Sequence, residues 1–511
     1  MIVIGQNLWV NIYHEEWDTR IESISLSYDD GYLISGRQEW SYAKYNWVTK
    51  TDINGEVLWN KMIGNGINSI YLLDMVMNET GSLYLCGGTK IHDPEGDPLI
   101  MKLNACGEKE WCKIISSPNN GNTAHKVCYT NDGGCAVTLY SIGENMIDDR
   151  ICLAKFSSPG EMEWMECYNS QDSLMANETD THLLCTPDNG FLISGWCYYT
   201  APQGGAWLEP YFIKTDSLGN FEWESFPLSE NGIEGGQAWQ TFMNPDSNFY
   251  YSSISHHHRE LPEDAAPALL KMDLSGNLVG IYDLANPGIV GKLFRSQFIN
   301  DSVLAGSASW GDPDINQPMA VLMDTLGTIK SEQELLDNSY MSYIRYTKDE
   351  KLLYYTQMLD PTDDKYDAYL FKLNQDLSNA PVNMQTFTYD SLCPYQIASD
   401  TISQDDCGLI VGLDEIEPEP EPDQNSILVY PNPAVSVISY QLPVISDDKA
   451  LKNKNIVEFW DLFGRKVEAM EVPPGQTELK SDVSGWPPGI YISILRNDRK
   501  ILARRKFVVA R

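Results

Sequence analysis

The fold is decided by a stretch near the N-terminus, where Asp29-Asp30-Gly31-Tyr32-Leu33-Ile34-Ser35-Gly36 is followed by Lys50-Thr51-Asp52-Ile53-Asn54-Gly55 and then by Trp59. Both halves contain a tight-turn signal, in which Gly supplies the positive φ that many hairpins need. Runs of β-branched and aromatic residues flank the turns, as is typical of strands. The stretch therefore predicts a unit of four antiparallel strands, with short turns between strands 1 and 2 and between strands 3 and 4.

The same unit recurs along the first 380 residues. Its second turn falls at positions 52, 104, 157, 216, 273, 324 and 374, which are 50 to 59 residues apart. Four short strands in such a repeat are typical of a β-propeller. A β-helix has much shorter repeats, and the missing 3.6-residue period excludes an α-solenoid. We therefore predict an all-β chain with a seven-bladed β-propeller at residues 1–380, whose ring is closed by a strand at residues 7–13.

Three further segments follow the repeats. Residues 381–412 contain two cysteines, and we expect this extension to brace the propeller at its last blade. Residues 413–427 alternate Glu with Pro and predict an extended linker. Residues 428–511 predict a small, immunoglobulin-like β-sandwich of about seven strands. No apolar run is long enough to span a membrane as a helix.

Charge is distributed unevenly along the chain, whose formal net charge is −36. Residues 428–511 carry 13 Lys and Arg against 9 Asp and Glu, whereas the preceding residues carry 23 against 63. Such an acidic surface repels phosphate backbones, so nucleic acid is not an expected partner. Solubility explains most of the acidity, and attraction of calcium is the alternative. We otherwise expect no cofactor and no metal site.

All 11 cysteines lie between positions 86 and 407. No Cys-x-x-Cys pair occurs, which argues against a zinc ribbon or a thioredoxin-type motif. Two pairs are close in sequence, Cys106 with Cys112 and Cys393 with Cys407, and each is a candidate disulfide in an exported protein, although the sequence leaves the pairing open. Burial as small apolar side chains is the alternative for the other cysteines.

The variable loops between strands 2 and 3 predict the functional face, because in every blade they leave on the same side of the ring. Aromatic side chains there suit stacking on sugars, and carboxylates suit hydrogen bonds to hydroxyls or a glycosidase pair. The candidate ligand-binding residues are Trp40, Trp196, Tyr198, Trp207, His257, Trp310, Asp312, Asp314 and Asp364. Packing of the Trp residues between blades is the alternative. His257 lies in the run His256-His257-His258, whose side chains alternate and so rarely bind one metal together.

The tail carries a recognisable series of motifs, which are Tyr430-Pro431-Asn432-Pro433, Gly464 in a turn, Gly489 before Tyr491, and Lys506 in a basic last strand. Together they resemble the C-terminal sorting domain of the type IX (Por) secretion system of Bacteroidetes. The resemblance implies export through the periplasm by the type IX machinery, followed by release or retention at the outer-membrane surface. An accessory β-sandwich is the alternative. Residues 1–6 do not form a signal peptide, so we expect one to have been removed or to precede Met1.

These patterns favour an exported propeller that binds glycan or protein ligands through its loop face, and we assign no catalytic residue. An exported polysaccharide hydrolase or lyase that uses the loop acids is the alternative. A structural or adhesive surface component is a third reading.

Overall fold

A computed structural model describes residues 9–13, 18–40, 43–64, 70–91, 96–116, 122–141, 150–168, 175–200, 206–228, 234–258, 265–284, 290–311, 317–335, 339–360, 365–380, 387–410, 428–430, 434–441, 455–461, 465–473, 476, 478–497 and 500–510. Contacts divide the chain into two compact units, Met1–Leu413 and Asp414–Arg511. No helix in these described ranges is long and apolar enough to cross a membrane.

The first unit is a β-propeller built from antiparallel sheets of four strands, which we number as blades in chain order. Strand β1 is Trp9–Tyr13. Blade 1 consists of β2 (Asp18–Leu26), β3 (Tyr32–Trp40), β4 (Ala43–Thr51) and β5 (Val57–Ile63). Blade 2 consists of β6 (Ile70–Met77), β7 (Leu83–Thr89), β8 (Asp97–Leu103) and β9 (Lys109–Ile115). Blade 3 consists of β10 (Asn122–Tyr129), β11 (Cys135–Ser141), β12 (Arg150–Phe156) and β13 (Met162–Tyr168).

The remaining blades follow the same plan. They are β14 (Met175–Cys185), β15 (Phe191–Thr200), β16 (Ala206–Thr215) and β17 (Phe221–Ser225); β18 (Glu234–Met243), β19 (Tyr250–His258), β20 (Ala266–Met272) and β21 (Leu278–Asp283); β22 (Val290–Asn300), β23 (Val303–Gly311), β24 (Pro318–Asp324) and β25 (Ile329–Glu334); and blade 7, formed by β26 (Ser339–Tyr346), β27 (Leu352–Asp360) and β28 (Lys365–Leu373) together with β1.

The ring closes through β1, which pairs antiparallel with β28 so that Trp9 lies opposite Lys372. The first strands of successive blades pack side by side, and β26 of blade 7 returns to β2 of blade 1. In blades 1 to 4, a Trp of the fourth strand packs against the turn glycine of the next blade, as Trp59 does at Gly107 and Trp111 at Gly160, and Tyr282 of blade 5 takes this place at Gly327. Trp9 makes the same contact with Gly55 of blade 1.

The turns between strands 1 and 2 and between strands 3 and 4 lie on one face of the ring, which we call the turn face. The acid of the Lys-x-Asp motif organises the second turn, since Asp216 Oδ1 accepts hydrogen bonds from the backbone N–H groups of Leu218 and Asn220 at 2.8 and 2.9 Å. Gly219 in this turn has φ +80°. The motif therefore serves turn geometry.

The lysine of the same motif is buried and pairs with the acid of the first turn. Lys50 is fully buried and its Nζ lies 2.5 Å from Asp29 Oδ2. The equivalent pairs are Lys155 with Asp132, Lys214 with Asp188 and Lys372 with Asp349. Much of the repeated acidity thus stabilises blades.

The extension is held against blades 1 and 2. The sequence had led us to expect it at the last blade. Its strands β29 (Thr401–Ile402) and β30 (Gly408–Ile410) pair parallel with the outer strands β5 and β9. Ion pairs add to this attachment, since Lys61 Nζ lies 2.6 Å from Asp400 Oδ1. Tyr389 Oη also accepts a hydrogen bond from Ile53 N–H at 2.9 Å. The extension therefore braces the first two blades.

The candidate disulfide pairing is wrong. Cys106 pairs with Cys393 and Cys112 pairs with Cys407, with sequence separations of 287 and 295 residues. Cys106 lies in the turn before β9, whereas Cys112 lies inside that strand, so extended backbone holds the two apart. The extension instead passes beside both of them. Two more disulfides join Cys128 to Cys185 and Cys152 to Cys167, and the side chains of Cys86, Cys135 and Cys197 are buried.

The second unit is a two-sheet sandwich. Its strands are β31 (Leu428–Tyr430), β32 (Val437–Gln441), β33 (Asn455–Asp461), β34 (Lys466–Val472), β35 (Glu478–Asp482), β36 (Gly489–Asn497) and β37 (Lys500–Val509). The sheet orders are β31-β32-β35 and β34-β33-β36-β37. Tyr440 from one sheet packs against Phe459 and Phe507 from the other, with ring centroids 4.9 and 5.9 Å apart. Apolar residues that alternate along each strand thus face one core.

Candidate functional site: an axial funnel

The first strand of every blade is irregular at an equivalent point. Its register against the second strand shifts between Ile21 and Ser23 in blade 1, between Leu72 and Asp74 in blade 2, and between Ala124 and Lys126 in blade 3. Blades 4 to 7 show the same shift on β14, β18, β22 and β26. A β-bulge re-aims the side chain of the extra residue.

These bulged positions line one depression at the centre of the ring. It has a volume of about 220 Å³ and receives residues from the first strand of each blade. We call it the axial funnel, and its lining residues are Glu22, Leu73, His125, Lys126, Asp180, Thr181, Trp239, Phe294, Arg295 and Tyr343. The bulges lie near the middle of the first strands, as Glu22 does in Asp18–Leu26 and Trp239 in Glu234–Met243. The irregularity thus gathers one non-repeated side chain from every blade.

Aromatic rings form one side of the funnel. The ring of Trp239 meets that of Phe294 edge-on at 5.5 Å. Tyr343 stacks on Tyr355 at 4.7 Å, and the Arg295 guanidinium lies 5.0 Å from the centre of the Tyr343 ring. Such faces can stack on a sugar or an aromatic ligand.

A buried His–Asp pair forms the opposite side. His125 Nδ1 lies 2.9 Å from Asp180 Oδ1, and Asp180 is 4% exposed overall. Thr138 Oγ1 donates a hydrogen bond to the other carboxylate oxygen of Asp180. Burial by itself raises the pKa of Asp180, but the charge and hydrogen bond of His125, with the Thr138 hydrogen bond, outweigh it and lower the pKa. Asp180 is therefore an ionised anchor for His125 and a poor general acid.

A neighbouring depression of about 330 Å³ shares Glu22 and Tyr343 with the funnel and widens it toward blades 7 and 1. Arg37 Nε lies 3.0 Å from Glu22 Oε1. The Arg20 guanidinium lies 4.6 Å from the centre of the Tyr366 ring. Glu22 is the one carboxylate among the described residues that line this depression, and it is thus held by an arginine.

Four of the aromatic residues expected from the sequence lie on blades 4 and 6 and are not among the described residues that line the funnel. Trp196 meets Tyr198 edge-on at 5.7 Å, and Tyr198 is 38% exposed. Trp207 Nε1 donates a hydrogen bond to Glu209 Oε1 at 2.9 Å, which ties that ring to a buried carboxylate. These three side chains belong to the long β15–β16 hairpin.

Trp310 is 7% exposed, in contrast to the exposed position that the loop pattern predicted. It belongs to the hydrophobic cluster of blade 6, with Leu293, Met319 and Val321. Only a small part of its ring could reach a ligand, because neighbouring apolar side chains cover the rest.

The other expected residues are placed only in part. Trp40 ends β3 opposite Ala43, and His257 lies in β19 opposite Gly235, but their side chains are outside the described set. Asp312, Asp314 and Asp364 also lie outside the described residues. His256 Nδ1 lies 2.8 Å from Asp283 Oδ1, which indicates a structural pair. Within the described ranges, no group of three or more His, Cys, Asp or Glu could hold a metal ion.

Sequence reasoning missed the funnel because bulges break the alternation on which strand prediction depends. One signal was present. At or beside the bulge of each first strand, the residues that line the funnel differ from blade to blade: Glu22, Leu73, His125, Thr181, Trp239, Phe294 and Tyr343. Such variation, inside units that otherwise repeat, marks positions that packing does not dictate.

The sorting motifs are partly described. Tyr491 is 4% exposed, donates a hydrogen bond from Oη to Pro487 O at 2.7 Å, and packs beside Trp486 with ring centroids 5.0 Å apart. Tyr430 is 46% exposed, and Gly489 begins β36. Lys506 pairs with Ile492 across β36 and β37. Pro431, Asn432, Pro433 and Gly464 lie outside the described residues.

Comparison with solved structures finds distant likenesses. A protein of unknown function from Dyadobacter fermentans DSM 18053 is 10% identical, with 72% of this chain and 98% of that chain covered and a TM-score of 0.45. The polysaccharide lyase Uly1 is 9% identical, with 71% and 92% covered and a TM-score of 0.45. The periplasmic gluconolactonase PpgL of Pseudomonas aeruginosa is 11% identical, with 62% and 88% covered and a TM-score of 0.33.

No curated protein matches the chain in sequence. One family does match, the secretion system C-terminal sorting domain, at residues 428–510. This match covers the sandwich and the motifs that resemble the Por tail. Residues 428–510 are therefore a type IX secretion sorting domain, and they point to export of the propeller that precedes them.

Proposed function

We propose that the protein is an exported binding propeller that takes a glycan at the axial funnel on its loop face and is delivered to the cell surface or the medium. The observation that supports this most is the convergence of one non-repeated residue from each blade on a single depression. Packing requires like residues at like positions, so unlike residues there serve something other than the blades.

The funnel has the composition of a saccharide site. Trp239, Phe294 and Tyr343 offer ring faces, while His125, Glu22 and Arg295 offer hydrogen bonds around them. Apolar faces with a few placed polar groups are typical of small-ligand sites. For a ligand longer than the funnel, the loop residues stay candidate contacts, namely Trp40, Trp196, Tyr198, Trp207, His257, Asp312, Asp314 and Asp364.

An enzyme is the second reading, as a polysaccharide hydrolase or lyase. Nothing in the described funnel favours a hydrolytic carboxylate pair, since Glu22 is held by Arg37 and Asp180 by His125. The reading therefore depends on the loop acids, and turnover abolished by Asp312→Ala or Asp364→Ala would support it.

A glycan array probed with the purified full-length chain tests the proposal, followed by titration of the strongest ligand into variants. We expect Trp239→Ala to weaken binding about tenfold or more, because one stacking contact contributes about 1 to 1.5 kcal/mol and its loss also opens the funnel wall. Lys330→Gln on the outer strand β25 is the matched control and should leave affinity unchanged. Absence of any glycan ligand, or equal affinity of Trp239→Ala and the wild type, contradicts the proposal.

Export has a test of its own. Residues 428–511 are fused to a periplasmic reporter in a host with a type IX system, and the reporter should reach the surface or the medium. A reporter that stays in the periplasm contradicts the sorting role.

A further inference from the structure

A second cavity adjoins the funnel along the axis of the ring. Its volume is about 460 Å³, and it reaches the turns of blades 3 and 4 at Thr130 and Asn189. Lys126 and Arg295 line both this cavity and the funnel. The two spaces therefore meet at a pair of cationic side chains.

The charge of this second cavity is opposite to that of the protein. Lys126, Arg295 and Arg345 line it, and Asp74 is the one acid among its described lining residues. We call the three cations the basic collar. They occur in a chain whose formal net charge is −36. A positive site inside an acidic molecule is an arrangement that the bulk composition does not predict.

Asp74 does not neutralise the collar directly. Its Oδ1 accepts a hydrogen bond from Ser23 Oγ at 2.9 Å, and its Oδ2 accepts one from Val127 N–H at 3.3 Å. Among the described residues, none of the collar cations forms an ion pair with a carboxylate. Asp180 acts on Lys126, and Asp74 on Arg345, only beyond ion-pair distance. Cations removed from bulk water without a directly paired counter-charge cost free energy, which an anion at the same place would offset.

The collar also keeps hydrogen-bond donors available. Arg295 donates from Nη1 to Trp239 O at 2.9 Å, and Arg345 donates from Nε to Ile24 O and from Nη1 to Ile344 O, both at 3.0 Å. A guanidinium has five N–H donors, so each arginine has donors beyond these backbone contacts. The backbone contacts hold both side chains in place without using their full capacity.

A neutral histidine completes the cavity wall. His182 lines the cavity, and its Nδ1 is buried without a hydrogen-bond partner. Burial lowers the pKa of His182 well below its usual value, and the nearby charges of Arg295, Lys126 and Arg345 lower it further. The uncharged imidazole can therefore accept or donate one hydrogen bond to a ligand.

We propose that the basic collar binds the oxyanion of an acidic saccharide, a carboxylate or a sulfate group, whose sugar ring stacks in the axial funnel. This inference rests on the glycan-binding function proposed above and adds the class of ligand. Arginine recognises carboxylate and sulfate alike through paired N–H donors, so the two sources share one chemistry. The ring contacts come from the funnel, and the selectivity for an acid comes from the collar.

The test titrates trigalacturonate, neutral maltotriose and sodium sulfate separately into the full-length protein by calorimetry. We expect trigalacturonate or sulfate to bind. Arg295→Gln and Lys126→Gln should each weaken that binding about 10- to 100-fold, the range for loss of a charge-assisted hydrogen bond. Lys330→Gln is the matched control for charge and should change affinity less than about twofold.

A competition on the wild-type protein does not depend on the folding of any variant. Sulfate should displace a bound acidic saccharide more strongly than chloride at equal ionic strength, because general screening acts equally for both salts. Displacement equal to that by chloride overturns the inference.

The outcomes separate the two proposals. Binding of neutral glycans alone, unchanged in Arg295→Gln, keeps the binding function and overturns the collar. Sulfate binding without any saccharide binding supports the collar as an anion site but overturns the proposed glycan binding. Binding of neither sulfate nor trigalacturonate overturns the inference.

Discussion

The turn face and the axial funnel show how one repeat serves two purposes. At the turn face, equivalent positions carry the same chemistry, such as a buried lysine that pairs with a turn acid at Lys50, Lys155 and Lys214. In the funnel, equivalent positions carry unlike side chains, among them His125, Trp239 and Phe294. Sameness between repeats thus marks residues that hold the blades, and difference marks residues that are free to bind. Substitutions at the turn face should therefore lower stability, whereas substitutions in the funnel should lower ligand affinity.

The largest stability effect is expected at the turn face, for Lys50→Met. The Nζ of Lys50 is buried between Asp29 and Asp390, and its loss leaves Asp29, whose side chain is 3% exposed, without its cation. Removing one partner of a buried pair costs about 3 to 5 kcal/mol. Urea unfolding of the full chain, followed by Trp fluorescence, measures this loss.

The matched control is Lys348→Met, because Lys348 pairs with Asp30 at 3.0 Å while its side chain is 64% exposed. An exposed pair contributes less than about 1 kcal/mol. Equal losses for the two variants would mean that the buried lysines do not hold the blades.

A smaller loss is expected for Gly160→Ala. Gly160 has φ +88°, and a Cβ there would lie 2.6 Å from Cδ2 of Trp111 in the preceding blade. Backbone strain and the clash together should cost about 1 to 3 kcal/mol. The control is Gly485→Ala, where an added Cβ meets nothing within 4 Å. Thermal unfolding of both variants decides the point, and a Gly160→Ala protein as stable as Gly485→Ala contradicts it.

The smallest effect is a pH dependence from the turn acid Asp132. Burial raises the pKa of this carboxyl, but hydrogen bonds from Lys155, Thr130 and the Gly134 N–H outweigh it and lower the pKa to about 2. A group with a lowered pKa adds stability above its unfolded pKa of about 4, and loses it as the pH falls through about 2. The difference in Tm between the wild type and Asp132→Asn should therefore shrink between pH 4 and pH 2. A constant difference contradicts this assignment.

The repeat made the propeller predictable, since turn signals and alternating apolar residues recur with one period. The sorting tail was predictable from its ordered motifs. The disulfides were not, because Cys106 and Cys112 pair with cysteines nearly three hundred residues away, which no local spacing reveals. The funnel was not, because the bulges at His125 and Trp239 reverse the expected side of the strand. The loop aromatic Trp310 instead proved to be packed, since β23 continues through it.

Ligands are predicted to bind at the funnel and not on the loop aromatics of blade 4. The most direct measurement compares the affinity of the array-identified glycan for Trp239→Ala with its affinity for Trp196→Ala, with Tm recorded for both. We predict a loss of about tenfold or more for Trp239→Ala, and less than about twofold for Trp196→Ala. Wild-type affinity in a folded Trp239→Ala protein, with a large loss in Trp196→Ala, would contradict the account and place the site on the β15–β16 hairpin.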